Sequence, residues 1–245
     1  MATNTSSPSG HGHSAVNTEN EPLLGRPGDV NQARGAAICK NLIMGTAIVA
    51  QIGVIMAAAV VWGYILAKPL NLASGHALVQ SAAFFVLVQS ILIQQPSRTA
   101  EQKHTGRQAH LLLNIIALLL LITGVVLIEY NKISAGNAHF HSVHAYLGVT
   151  TLCIIAVQYL VGVTMWLTPR LYGGEERAKS VWKYHRWSGY FLLLLLGCTV
   201  SAAAVTDYIK LVLKVPTWPV ILGSVLVIVG VYPRIQKQKL GIASQ

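Results

Sequence analysis

The sequence predicts an all-α membrane protein built on six transmembrane helices, and three observations carry that prediction. Of 245 residues, 53% are hydrophobic and 11% charged, with a mean hydropathy of +0.53, and the polar residues gather in short clusters between long apolar runs. Runs such as LLLNIIALLLLITGVVLI are apolar on every helical face, whereas transmembrane strands would alternate over about ten residues. Six segments reach or approach the roughly 20 helical residues that cross a hydrocarbon core of about 30 Å.

In chain order the spans are 41–67, 75–94, 109–128, 143–167, 187–206 and 216–232. The last is the shortest, because Pro216 and Pro219 trim its start and leave a short or tilted crossing. Residues 1–35 are rich in Ser, Asn, Gly, Pro and His, too polar to offset the entropy of ordering them, and read as a disordered tail. The membrane domain is expected over 36–234, with a short C-terminal tail over 235–245. The extreme N-terminus carries no hydrophobic signal sequence, so the first helix is expected to direct insertion itself.

Orientation follows from the basic residues. Fourteen of the 18 Lys and Arg fall on one face: in the N-tail, in the loops that hold Arg98, Lys103 and Arg107 and then Arg170, Arg177, Lys179, Lys183 and Arg186, and in the C-tail. Lys68, Lys132, Lys210 and Lys214 alone face the other way. The positive-inside rule puts both termini in the cytosol, which requires an even number of crossings. A formal charge of +10 would suggest nucleic acid in a soluble protein, but here the basic residues sit beside helix ends, where they set topology and touch anionic lipid. No nucleic-acid partner is expected.

Four histidines, His76, His110, His144 and His185, stand at the mouths of four different spans. With the topology drawn, His76 and His144 lie near the non-cytosolic surface and His110 and His185 near the cytosolic one, two on each face. Imidazoles near hydrocarbon are costly and uncommon. Two facing pairs suit two haem irons, each held from both sides by imidazole and clamped between helices of a bundle. The competing reading is a histidine-bearing, proton-coupled transporter without haem. Such a relay would normally place Asp or Glu within the spans, and only Glu129 and Asp207 come near, both at helix ends.

His76, His110 and His144 are spaced 34 residues apart, with 41 more to His185. The segment HSVHAYLGV resembles the Tyr-Ser-Leu-His-Ser-Trp-Leu-Gly stretch of the eukaryotic cytochrome b561 proteins. VQYLVG at 157–162 resembles their Val-Gln-Trp-Leu-Val-Gly stretch, with Pro169 closing the helix. The resemblance covers about 41–232. It implies six helices whose central four-helix bundle, helices two to five, holds two haems b, one on His76 and His144 and the other on His110 and His185. It further implies a transmembrane ascorbate-dependent oxidoreductase, which passes electrons from cytosolic ascorbate to monodehydroascorbate or a ferric chelate on the other side. No partner domain is fused within this sequence.

One helical turn after each histidine lie Gln80, Asn114, Gly148 and Gly189. These are either contacts for a flat ligand or ordinary helix-packing residues. Where the family often has a second histidine after the helix-three ligand, this chain has Asn114. Where it commonly has Tyr before the helix-four ligand, this chain has His141, with His139 two residues earlier. Those two face the acceptor side, as donors to ferric iron or as part of a wetted loop. On the cytosolic side Arg107 and Lys183 first, then Lys103, Lys179 and Arg186, would form a cationic funnel for the ascorbate anion, over and above their role in topology.

The remaining features are quieter. Cys153 and Cys198 read as small apolar packers, and Cys39 stands where palmitoylation would place an acyl chain. Helices one and six carry no such histidine and are left to shield the core or to meet a second copy in a homodimer. In the tail, ENEPLL at 19–24 resembles an acidic dileucine address for a vacuole or lysosome. His11 and His13 lack a third metal ligand.

Overall fold

The structure, a computed structural model, describes residues 29–241. His11, His13, Arg26 and the dileucine segment lie outside the described residues. Six long helices run through them: α1 Ala47–Leu66, α2 Leu72–Gln94, α3 Ala100–Ala135, α4 Val143–Leu167, α5 Glu175–Ala204 and α6 Thr217–Val231. All six expected spans are present, and α6 continues through a 3-10 turn, Tyr232–Arg234, to reach the length of a span. Among the described residues there is no strand.

Two helices are longer than their apolar stretches. Helix α3 begins at Ala100 and α5 at Glu175, well ahead of the apolar boundaries at 109 and 187, because local chemistry and not hydrophobicity sets their starts. Thr99 accepts from Gln102 N (3.2 Å) while Gln102 Oε1 accepts from Thr99 N (3.3 Å), the reciprocal capping box that satisfies orphan amides. Glu175 and Glu176 occupy the first turn of α5, where acidic side chains complement the helix dipole. His110 and His185 are consequently each the eleventh residue of a helix, about 15 Å along its axis from the start. They are not at the helix ends.

Helix α2 packs most extensively on α3, α4 on α5, and α1 on α6. The bundle is therefore two hairpins, α2–α3 and α4–α5, that approach each other far less closely than their own helices do. Helices α1 and α6 tie them together through a core of Ala47, Ala50, Val54, Phe84, Val88, Leu92, Leu193, Leu196, Val227 and Val231. The α1–α6 contact is backbone on backbone: a Cβ built on Gly53 would lie 2.5 Å from Gly223 O, and one on Gly230 would lie 2.3 Å from Ala50 N. Small residues are what permit that approach within a membrane. Large apolar side chains such as Ile48, Ile52, Leu112, Leu119 and Val126 point outward, as a lipid-facing surface requires.

Residues 29–35 and 235–241 lie together at one end of the bundle. Gln32 is 4% exposed; its backbone N–H donates to Pro96 O (3.0 Å) and its side-chain Nε2 to Ala36 O (2.9 Å). Gln236 Nε2 donates to Val30 O (3.0 Å) and Gln238 Nε2 to Asp29 Oδ2 (2.5 Å). Residues flanking the helices at 29–32 and 236–240 thus pack on the bundle. Glutamine and asparagine amides supply the hydrogen bonds that a hydropathy reading counts only as polarity.

Candidate functional site

His76 is the fifth residue of α2, on a start fixed by Asn71 and Ser74, which cap each other reciprocally (2.9 and 2.8 Å). His144 is the second residue of α4, behind the Ser142 cap. His76 Nδ1 donates to Gly124 O on α3 (2.8 Å), and His144 Nδ1 to Thr199 O on α5 (3.0 Å). A carbonyl only accepts, so these contacts put the proton on Nδ1 and leave the lone pair on Nε2. The two rings face each other across the gap between the hairpins, with centroids 6.2 Å apart and planes at 73°.

His110 follows the same rule within its own hairpin. Its Nδ1 meets Ser90 O (2.9 Å) and Ser90 Oγ (2.9 Å) on α2, and Asn114 Nδ2 donates to the same Ser90 Oγ (2.7 Å). His185 is held differently. Its ring lies on Gly162 of α4, where a Cβ would stand 3.0 Å from His185 Cε1, and its Nδ1 is buried without a partner. His110 and His185 line one cavity of about 510 Å³ walled by α2, α3, α4, α5 and the C-terminal segment. That volume lies within the usual range for a cofactor or small-molecule site.

The structure brings some of the expected side residues together and not others. Lys103, Arg107 and Arg186 line the cavity, and the Arg107 guanidinium sits 5.4 Å from the Trp166 ring centroid. Lys183 instead stacks on Tyr184 (5.0 Å) and Lys179 pairs with Glu175 (3.5 Å); neither lines it. Both leave for a simple reason: long cationic stems take the nearest aromatic or acidic neighbour on their own helix. Gln80 donates to Leu121 O (3.1 Å) and Asn114 to Ser90 Oγ and His110 O (2.6 Å), so these amides link α2 to α3. Gly148 borders open space beyond His144, whereas Gly189 faces the Gln158 amide. At the far end, His139 Nδ1 pairs with Glu129 Oε2 (3.1 Å) and His141 Nδ1 donates to Ala138 O (3.0 Å).

Ser90, Gly124, Gly162, Thr199 and Gln158 escaped the reading of the sequence. Gly124 and Thr199 act through backbone carbonyls, which any residue type could supply. Gly162 lay in the quoted VQYLVG segment, but its contact with His185 depends on how α4 and α5 pack.

The paired rings pass a fit test for a planar iron cofactor. Two imidazoles bonded from opposite sides to one metal at about 2.0–2.1 Å have centroids roughly 6 Å apart, and His76 and His144 stand at that separation. His76 and His144 would offer two imidazole nitrogens to such a group, and His110 and His185 line one cavity in which a second could be held. The family model of eukaryotic cytochrome b561 matches residues 75–210, a stretch that holds all four histidines.

The chain belongs to the eukaryotic cytochrome b561 family.

Cytochrome b561 proteins bind haem b, the group that the paired imidazoles fit. Among curated relatives, the chain is 23% identical over 126 residues to a probable ascorbate-specific transmembrane electron transporter of Oryza sativa subsp. japonica, covering 51% of this chain and 53% of that protein. It is 30% identical over 140 residues to the plasma membrane ascorbate-dependent reductase of Mus musculus, covering 55% and 46%. It is 30% identical over 142 residues to a transmembrane reductase of Bos taurus, covering 56% and 63%. The chain spans about half the length of the curated relatives it matches. This cytochrome b561 family member has six helices long and apolar enough to cross a membrane, and His76, His110, His144 and His185 all fall within the matched stretch.

Proposed function

We propose that this chain is a transmembrane ascorbate-dependent oxidoreductase, which carries electrons one at a time from cytosolic ascorbate to monodehydroascorbate or a ferric chelate on the opposite side. In this reading His76 and His144 hold one haem b, His110 and His185 hold a second, and both termini are cytosolic by the bias of basic residues. When bound between such imidazoles, haem b would supply a one-electron iron couple, which suits electron transfer. The observation that carries the reading is the facing pair His76 and His144, with Nε2 left free on each ring.

The protein's own groups do the rest. Carbonyls at Gly124, Thr199 and Ser90 accept the Nδ1 protons, fix the ring planes and make each Nε2 a stronger ligand. Lys103, Arg107 and Arg186 line the cavity beside His110 and His185, where cations raise the local concentration of the ascorbate anion and orient its oxygens. His139 and His141, exposed at the far end, offer imidazole to a ferric acceptor. Names of the relatives support ascorbate as donor.

The test is a visible absorption spectrum of purified protein before and after ascorbate. The reading predicts a haem b spectrum that ascorbate reduces, and, in proteoliposomes loaded with ascorbate, reduction of an external ferric chelate. Colourless protein that moves protons or solute along a pH gradient would overturn it in favour of the transporter.

A further inference from the structure

Three of the four histidines share more than an Nδ1 bond to a neighbouring helix. His76 donates to Gly124 O on α3 (2.8 Å), and Gln80, one turn along the same face of α2, donates to Leu121 O (3.1 Å). Leu121 and Gly124 belong to one turn of α3. Gly124 brings that turn close: a Cβ built on it would lie 2.9 Å from Gln80 Cδ. The imidazole and the amide therefore grip the same turn at two points.

The α4–α5 hairpin does the same with different chemistry. His144 donates to Thr199 O (3.0 Å), and Thr151, two turns inward on α4, meets Thr199 Oγ1 (2.8 Å). The single hydroxyl proton of Thr199 goes to Leu195 O (2.9 Å), so Thr151 is the donor. Both threonines are buried, at 3% and 7% exposure, where an unpaired hydroxyl would be costly.

The arrangement recurs on the other half of the bundle. His110 Nδ1 meets Ser90 O (2.9 Å), and Asn114, four residues on, donates to Ser90 Oγ (2.7 Å). His185 departs on both counts. Its Nδ1 is buried without a partner, and one turn on stands Gly189, which has no side chain to reach across. A second grip is present where Nδ1 is anchored and missing where it is not. Polar links between helices are ordinary in membranes, but packing alone does not place the second bond on the turn that already holds the imidazole.

We propose that Gln80 and Thr151 are positioning residues for the His76 and His144 pair: each fixes the turn whose carbonyl accepts the Nδ1 proton, and through it the ring plane and the strength of that hydrogen bond. The inference rests on the function proposed above, in which these imidazoles hold a haem b. A firm Nδ1 bond makes imidazole a more basic ligand, and a more basic ligand favours oxidised iron over reduced, which is one way a protein sets a haem potential. Loosening the grip weakens the bond and raises the potential of that haem alone.

The experiment uses the haem-loaded, full-length protein. Midpoint potentials are read by redox titration, ring orientation by the low-spin ferric EPR signal, and haem retention by transfer to apomyoglobin. The component that belongs to this pair is the one lost in His144→Ala. In Thr151→Val and in Gln80→Met that component is expected to move to higher potential with an altered EPR signal, and to release haem up to about tenfold faster, while the other component stays in place. Thr151→Ser keeps the hydroxyl and is expected to match the parent. Outright loss of the component in Thr151→Val, with retention in Thr151→Ser, is the same effect carried to completion. A role in packing alone would lower the thermal unfolding midpoint and leave potential and EPR signal at parent values in both variants, and that result overturns the inference while the proposed function stands. So does a shift in Thr151→Ser as large as that in Thr151→Val. Parent protein that holds no haem overturns the proposed function and this inference with it.

Discussion

His76 and His144 face each other edge to face across the gap between two hairpins, with ring centroids 6.2 Å apart. Each is held through Nδ1 by a carbonyl on the other helix of its own hairpin. One iron between them would therefore join the hairpins. In the proposed function, replacing either residue by Ala would remove one haem ligand and leave His110 and His185 intact. The expected outcome is a protein with a single haem, read as one component in a redox titration where the parent shows two. Two components persisting in His144→Ala would remove His144 from the ligand set.

Gly162 sets the position of His185. A methyl at residue 162 would stand 3.0 Å from Cε1 and 3.5 Å from Nε2, tighter than ordinary contact, and overpacking of this kind costs about 1–3 kcal/mol. Gly162→Ala is expected to weaken haem retention at the His110 and His185 pair, and Gly162→Val to abolish it, with the His76 and His144 pair still occupied. Haem content after extended washing, compared between the two variants, checks the order.

The α1–α6 seam predicts a stability effect separate from the site. Gly53 and Gly223 let two backbones touch, and neither lies beside a histidine of the quartet. Gly53→Val would force the helices apart, at about 1–3 kcal/mol for the overpacking alone. A lower thermal unfolding midpoint in detergent is expected, with an unaltered haem spectrum at low temperature.

Much of this was legible in the chain because a bilayer imposes simple rules. A run of some 20 apolar residues crosses it, and an imidazole near hydrocarbon needs a reason, so the six spans and the histidine quartet stand out. The starts of α3 and α5 did not, since the Thr99 and Gln102 cap and the acidic turn at Glu175 and Glu176 extend helix past the apolar boundary. Nor did the fates of Lys179 and Lys183, which neighbours on their own helix capture. The docking of the C-terminal segment was hidden for a further reason: Lys239 bonds to Gln95 O and Ser97 O, some 140 residues away in the chain, which no local pattern records.

The most direct test of the account is the pyridine haemochrome count on purified wild-type protein. Two protohaems per polypeptide is the predicted result. A count of one, or none, would contradict it.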